Sequence, residues 1–179
     1  MWNIPEDISR LGVYRKNAQK AAFFEISLGV IGIIYPLITG KLTLLFLSLL
    51  FLSSGLVLGY FTYITQSKHT KVIRKSILLI LLAFLMNLSA FIGVLSLGIL
   101  LGIYFFGDAI INTQLSKHLQ HDAAKYWLLA SIVSLVLGIF VLLFLPHNMI
   151  HLLGAFIGIT YLFNGLALYK TSKVFEKMA

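Results

Sequence analysis

Long apolar runs alternate with short polar breaks along the whole chain, and the spacing of those breaks defines the elements. A helix needs about 20 mainly apolar residues to cross the hydrocarbon layer of a membrane. Runs of that size lie at about 21–37, 42–64, 126–145 and 149–168, with Pro36 and Pro146 near the ends of the first and third of these. A longer run at about 77–113 exceeds one span at a rise of about 1.5 Å per residue. It divides at Asn87-Leu88-Ser89, with Asn87 capping a tight turn, and gives two further helices. The first of that pair starts near Val72, with Arg74 and Lys75 snorkelling toward headgroups. The pattern predicts an all-α polytopic membrane protein: a single membrane domain over 1–179 with six transmembrane helices. Residues 1–19 form a cytoplasmic or interfacial N-terminal segment, in which Ile4, Ile8, Leu11 and Tyr14 share one helical face. An interfacial helix and a plain extension of the first span are both open. Tyr63, Tyr126, Trp127 and Tyr169 fall near the expected interfaces, where amphipathic rings are favoured.

Charge orients this pattern. Thirteen of the fourteen Lys and Arg residues lie in every second loop or at the termini, and the intervening turns carry only Lys41. Basic residues near span ends stay on the cytoplasmic side. An even number of spans with both termini cytoplasmic follows, in a multi-pass protein of the bacterial inner membrane. Composition agrees: 59% of residues are hydrophobic and 11% charged, where a soluble domain carries roughly 25% charged residues. The net charge of +8 is spread over four short juxtamembrane segments. That spread fits a bilayer with anionic headgroups as partner, and not nucleic acid. The absence of cysteine excludes disulfides, thiolate metal sites and thiol redox chemistry. The first apolar run follows a polar stretch and leads into further spans, so it reads as a span and not as a cleavable signal.

The spans repeat in pairs. A polar residue followed by a small one recurs as Ser54-Gly55, Asp108-Ala109 and Asn164-Gly165, at intervals of 54 and 56 residues. Residues 102–110 (GIYFFGDAI) align with residues 158–166 (GITYLFNGL). Pro36 precedes Gly55 by 19 residues, as Pro146 precedes Gly165, while the middle unit has Ala90 at that place. Three units at about 20–66, 72–116 and 125–170 result. Each has two spans, so the units are parallel repeats about an axis along the membrane normal, with the second helix of each lining the middle. Small-xxx-small pairs in those second helices (Gly55/Gly59, Gly98/Gly102 and Gly154/Gly158) predict close packing within the bundle.

On these residues, the glycine-rich first helices ending in proline (Gly29 and Gly32 to Pro36; Gly138 to Pro146) and the GIYFFGDAI-type second helix, the chain resembles the HdeD-like family of small bacterial inner-membrane proteins over about residues 20–170. The resemblance implies an acid-resistance or envelope-stress role without a defined reaction. The chain departs from the pattern at Ala90 and at Ser54, which stands where an acidic or amide residue is usual.

Candidate chemistry is sparse. Asp108 lies nine residues before Lys117, roughly 13 Å into the membrane at the standard rise. An ionised carboxylate there is costly, so it should face the bundle interior and pair or take up a proton. It serves either as a proton or ion site or as a structural link between Ser54 and Asn164 across the repeat axis. Asn112, one turn on, bonds to Asp108 or to a headgroup. Glu25 lies five residues past Lys20 and reads as an interfacial carboxylate paired with a nearby cation. His147 and His151 share a helix face on the outer side, without further ligands for a metal. With ordinary pKa values of about 6.5, they would gain charge as the outer compartment acidifies. Gly165 joins the packing glycines. No nucleotide loop, nucleophile elbow or metalloprotease pair is present, and no cofactor or catalytic residue is expected. The chain reads first as a non-enzymatic membrane protein of stress tolerance, with a homo-oligomer or a membrane partner as further expectations. The alternative is a small proton, ion or solute transporter using Asp108 in a central polar path.

Overall fold

A computed structural model describes residues 8–39, 44–64, 70–89, 94–117, 119, 121–144 and 150–178. These form six α-helices: α1 (Ile8–Thr39), α2 (Leu44–Ile64), α3 (Thr70–Ser89), α4 (Val94–Ser116), α5 (His121–Phe144) and α6 (Ile150–Met178). Five of them contain stretches long and apolar enough to cross a membrane: Arg15–Tyr35, Leu45–Ile64, Gly98–Ser116, Ala123–Leu143 and Leu152–Val174. The chain is thus a multi-pass helical membrane protein. The remaining helix, α3, has 20 residues and carries Lys71, Arg74 and Lys75 in its first two turns.

Helix boundaries depart from the hydropathy reading where polar residues are helical. α1 runs unbroken from Ile8 and α6 continues to Met178, so each overruns its apolar stretch at the same end of the bundle. From Ile8 onward the segment before the first span is helical and continuous with it. Ala18, Ala21 and Ala22 bury against Ala167 and Leu168, which explains why this polar-looking stretch stays helical. α1 also continues past Pro36 to Thr39. Asn87 is helical, since α3 continues to Ser89. Pro146 lies outside the described residues.

Each helix packs against its neighbours in sequence, and α6 returns to α1, so the six form a closed ring. The most extensive contacts are α1 with α6, α4 with α5 and α2 with α3. These join each even-numbered helix to the odd-numbered helix across the basic end, not to another even-numbered one. The glycines sit on those seams. A Cβ at Gly55 or Gly59 would meet α3, one at Gly102 would meet α5, and one at Gly158 or Gly165 would meet α1. Gly32 of α1 approaches Gly154 and Gly158 in the same way. Gly98 is buried. About half of the span in α2, α4 and α6 is buried, against a third in α1 and α5, so the even-numbered helices contribute more to the interior. They meet there through side chains: Phe51 of α2 packs edge-on against Tyr104 of α4 and Tyr161 of α6.

The interior is stratified in the same order along α1, α4, α5 and α6. One apolar layer holds Leu28, Phe51, Leu79, Leu82, Met86, Leu101, Tyr104, Phe105, Val141, Leu153, Ile157 and Tyr161. A second, nearer the basic loops, holds Ala18, Ala22, Phe61, Leu115, Trp127 and Leu168. Between them lie Glu25, Ser54, Lys75, Asp108, Asn112, Ser131, Ser134 and Asn164, all buried. Outside, Ile77, Leu81 and Phe84 of α3 and Ile132, Val136 and Leu143 of α5 are exposed, an apolar face suited to lipid.

Candidate functional site

All six helices contribute to the polar layer. Its centre is an ion pair: the Lys75 ammonium lies 2.7 Å from Asp108 Oδ1, and neither side chain is more than 6% exposed. Lys75 reaches inward because it lies on the core stripe of α3, at the helical spacing that also buries Leu79, Leu82 and Met86. Arg74, one residue and about 100° away, is exposed. The expectation that both cations snorkel to headgroups is therefore corrected. Two adjacent helical residues cannot share one face, and the inner one meets a carboxylate.

Asp108 is fully buried and collects further donors. Asn112 Nδ2 donates to Asp108 Oδ2 at 2.8 Å, and Ser134 Oγ of α5 donates to the same oxygen at 2.7 Å. Asn164 Nδ2 of α6 approaches both oxygens at 3.4 Å. Asn112 ties the set together, since its Oδ1 accepts from Lys75 at 3.1 Å and its amide also donates to Asn164 Oδ1 at 2.9 Å. Asp108 and Asn164 thus meet across the bundle, and Asn112 takes the first of its two expected partners. Ser54 does not join them.

Ser54 Oγ instead donates to Glu25 Oε1 at 2.5 Å. Glu25 is 2% exposed, which corrects its reading as an interfacial carboxylate. The apolar stretch of α1 begins at Arg15, ten residues before Glu25, and the buried face through Ala18, Ala22 and Leu28 carries Glu25 inside. Glu25, Lys75 and Asn164 face a common cavity of about 20 Å³, walled on the basic-loop side by Phe61, Leu115, Trp127 and Leu168. Trp127 faces the interior: it is 6% exposed, its indole N–H donates to Thr171 Oγ1 at 2.9 Å, and its face lies 5.7 Å from the Lys75 ammonium. On the other side, the Tyr104 hydroxyl is buried without a hydrogen-bond partner among the described residues.

Residues 75–143 match the family model described as a short repeat of unknown function (DUF308), a family of membrane proteins that includes HdeD-like ones. The matched segment contains Lys75, Asp108, Asn112 and Ser134, so the ion pair and two of its donors fall within it. Comparison with curated proteins and with solved structures gives no match.

Sequence reasoning assigned Lys75 to the headgroups and Trp127 to an interface, and passed over Ser134. The signal for Lys75 was the 75–79–82–86 stripe, which continues an apolar face into a cation. Ser134 offers no such signal, because a serine in a span commonly bonds back to its own helix. His147 lies outside the described residues, and His151 falls in the first turn of α6.

Proposed function

We propose that the chain is a non-enzymatic, multi-pass protein of the bacterial inner membrane that contributes to acid or envelope stress tolerance, with its polar layer serving as a structural core. The reading includes six spans in three like-oriented two-helix units, with both termini cytoplasmic. The exposed Ile77, Leu81 and Phe84 stripe supports α3 as the sixth span. Basic residues at one end favour that orientation. There, Lys170 lies 5.0 Å from the Tyr126 ring and Lys173 5.9 Å from the Tyr169 ring, an arrangement suited to a bilayer with anionic headgroups. A second copy or a membrane partner belongs to the same reading, and no reaction does.

One observation favours the structural reading over transport: among the described residues the polar layer lies between two apolar clusters, and the cavity beside Glu25 and Lys75 has room for about 20 Å³. A cavity needs roughly 10–15 Å³ to hold one water. A solute path of many waters does not fit in it. The stress role is supported by the resemblance to HdeD-like proteins.

Two measurements test the proposal. Proteoliposomes containing the chain should show no proton or cation flux above empty vesicles at neutral or acidic pH. Flux that Asp108→Asn abolishes would establish the transport alternative instead. Expression in an acid-sensitive bacterial host should raise survival after low-pH exposure; equal survival with and without the chain overturns the stress role. A His147→Ala/His151→Ala variant that protects as well as wild type removes the histidines from it.

A further inference from the structure

The polar layer has an uneven charge inventory. Among the described residues it holds one ammonium, Lys75, and two carboxyl groups, Asp108 and Glu25, all buried inside the bundle. Lys75 neutralises Asp108 by direct contact. Were Glu25 also ionised, one negative charge would be left without a counter-ion in a medium where such a charge is costly. The donors are divided just as unevenly. Asp108 accepts from Lys75, Asn112 and Ser134 at 2.7–2.8 Å and is approached by Asn164 as well. Glu25 accepts from Ser54. Donors stabilise the charged form of a carboxyl group, so the group with many donors carries the charge and the group with few carries the hydrogen.

The surroundings of Glu25 fit this assignment. The charged or titratable groups facing it are Lys75 on α3, Asp108 and Tyr104 on α4, and Tyr161 on α6; α2 presents Ser54, and α5 presents Trp127 across the shared cavity. Among the described residues facing it only Lys75 is a cation, and Asp108 holds it. The cavity between Glu25, Lys75 and Asn164 has room for about one water with three polar neighbours, within the two to four partners a buried water needs. A water held there would link the carboxyl group to the ammonium and let the acidic hydrogen exchange. The basic-loop side is the thinner barrier: Lys75 is five residues from the start of α3, about 8 Å at the helical rise.

We propose that Glu25 is a binding site for one exchangeable proton, held in a water-sized chamber that it shares with Lys75 and Asn164. The site makes the core electrically neutral without opening a path through it. It stands independently of the stress role, since it concerns the charge state of the core and not its consequence in the cell.

Infrared spectra of the full chain in lipid vesicles at neutral pH, in H2O and D2O, test the assignment. The expected result is one protonated-carboxyl C=O band that shifts on transfer to D2O and is lost in Glu25→Gln. Ser54→Ala should move the band by removing the hydroxyl donor to Glu25, and Ser134→Ala, which removes a donor to Asp108, should leave it in place. The two serine variants keep the question decidable should Glu25→Gln fail to fold. The proposal is overturned by any of three results: absence of the band in wild type, a band insensitive to D2O, or a band that follows Ser134 and not Ser54.

Discussion

The α1–α6 seam and the Lys75–Asp108 layer hold helices together by opposite means. Along the seam, backbones touch. A Cβ on Gly158 would lie 2.6 Å from the Gly29 carbonyl oxygen and 2.9 Å from the Ile33 amide nitrogen, and one on Gly165 would lie 3.0 Å from the Ala22 carbonyl oxygen. In the polar layer, polar side chains from α3, α4, α5 and α6 converge on one carboxylate. Lipid tails are as apolar as Leu, so burying apolar surface gives little drive to associate, and close packing and polar bonding take over. The seam tolerates no added atoms, whereas the layer tolerates no removed partner.

The largest effect should come from breaking the ion pair on one side. Lys75→Ala leaves Asp108 buried without its cation, a change that typically costs about 3–5 kcal/mol. Denaturant unfolding in detergent, followed by far-ultraviolet circular dichroism, measures the loss. Lys75→Met combined with Asp108→Asn should recover most of it, because no unmatched charge then remains and the amide can still bond to Ser134. A double variant as unstable as the single one would show that the pair stabilises by more than mutual neutralisation.

Gly158→Ala comes next. Its Cβ would meet backbone atoms of Gly29 and Ile33, which no rotamer change can move away, so α1 and α6 must separate locally. Overpacking of this kind costs about 1–3 kcal/mol. The same unfolding measurement should show a loss smaller than that of Lys75→Ala. An unchanged midpoint would mean that the seam is looser than the backbone distances indicate.

The two regions also differ in how much of them the sequence discloses. Helices and most boundaries follow from apolar run length, since a span announces itself over about 20 residues. The glycines of the seam were legible as well, because small-xxx-small spacing is a local pattern. Their partner was not: Gly154 and Gly158 say that some helix comes close, and only the ring closure makes it α1. The polar layer is harder still. Asp108 was conspicuous as an acid in an apolar run, but its partner lies 33 positions earlier, in a juxtamembrane stretch where cations are ordinary. Glu25 failed for the same reason. Its depth depends on the first span beginning at Arg15 and not near Ala21, a start that the cations Arg15, Lys16 and Lys20 conceal.

Gly102→Ala gives the sharpest contrast at the smallest magnitude. Gly102 belongs to the same small-xxx-small pattern as Gly158, so sequence spacing alone ranks them equally. The structure separates them by what an added methyl would touch. At Gly102 the nearest atom is Leu142 Cδ2, 2.8 Å away at the end of a side chain that is 49% exposed toward the lipid face. Leu142 can change rotamer outward at little cost, and alanine favours a helix over glycine by up to about 1 kcal/mol. Gly102→Ala should therefore be neutral or slightly stabilising, with the opposite sign to Gly158→Ala in the same unfolding assay. A loss at Gly102 equal to that at Gly158 would mean that α4 and α5 approach as backbones do in the α1–α6 seam, and the distinction between the seams would fall.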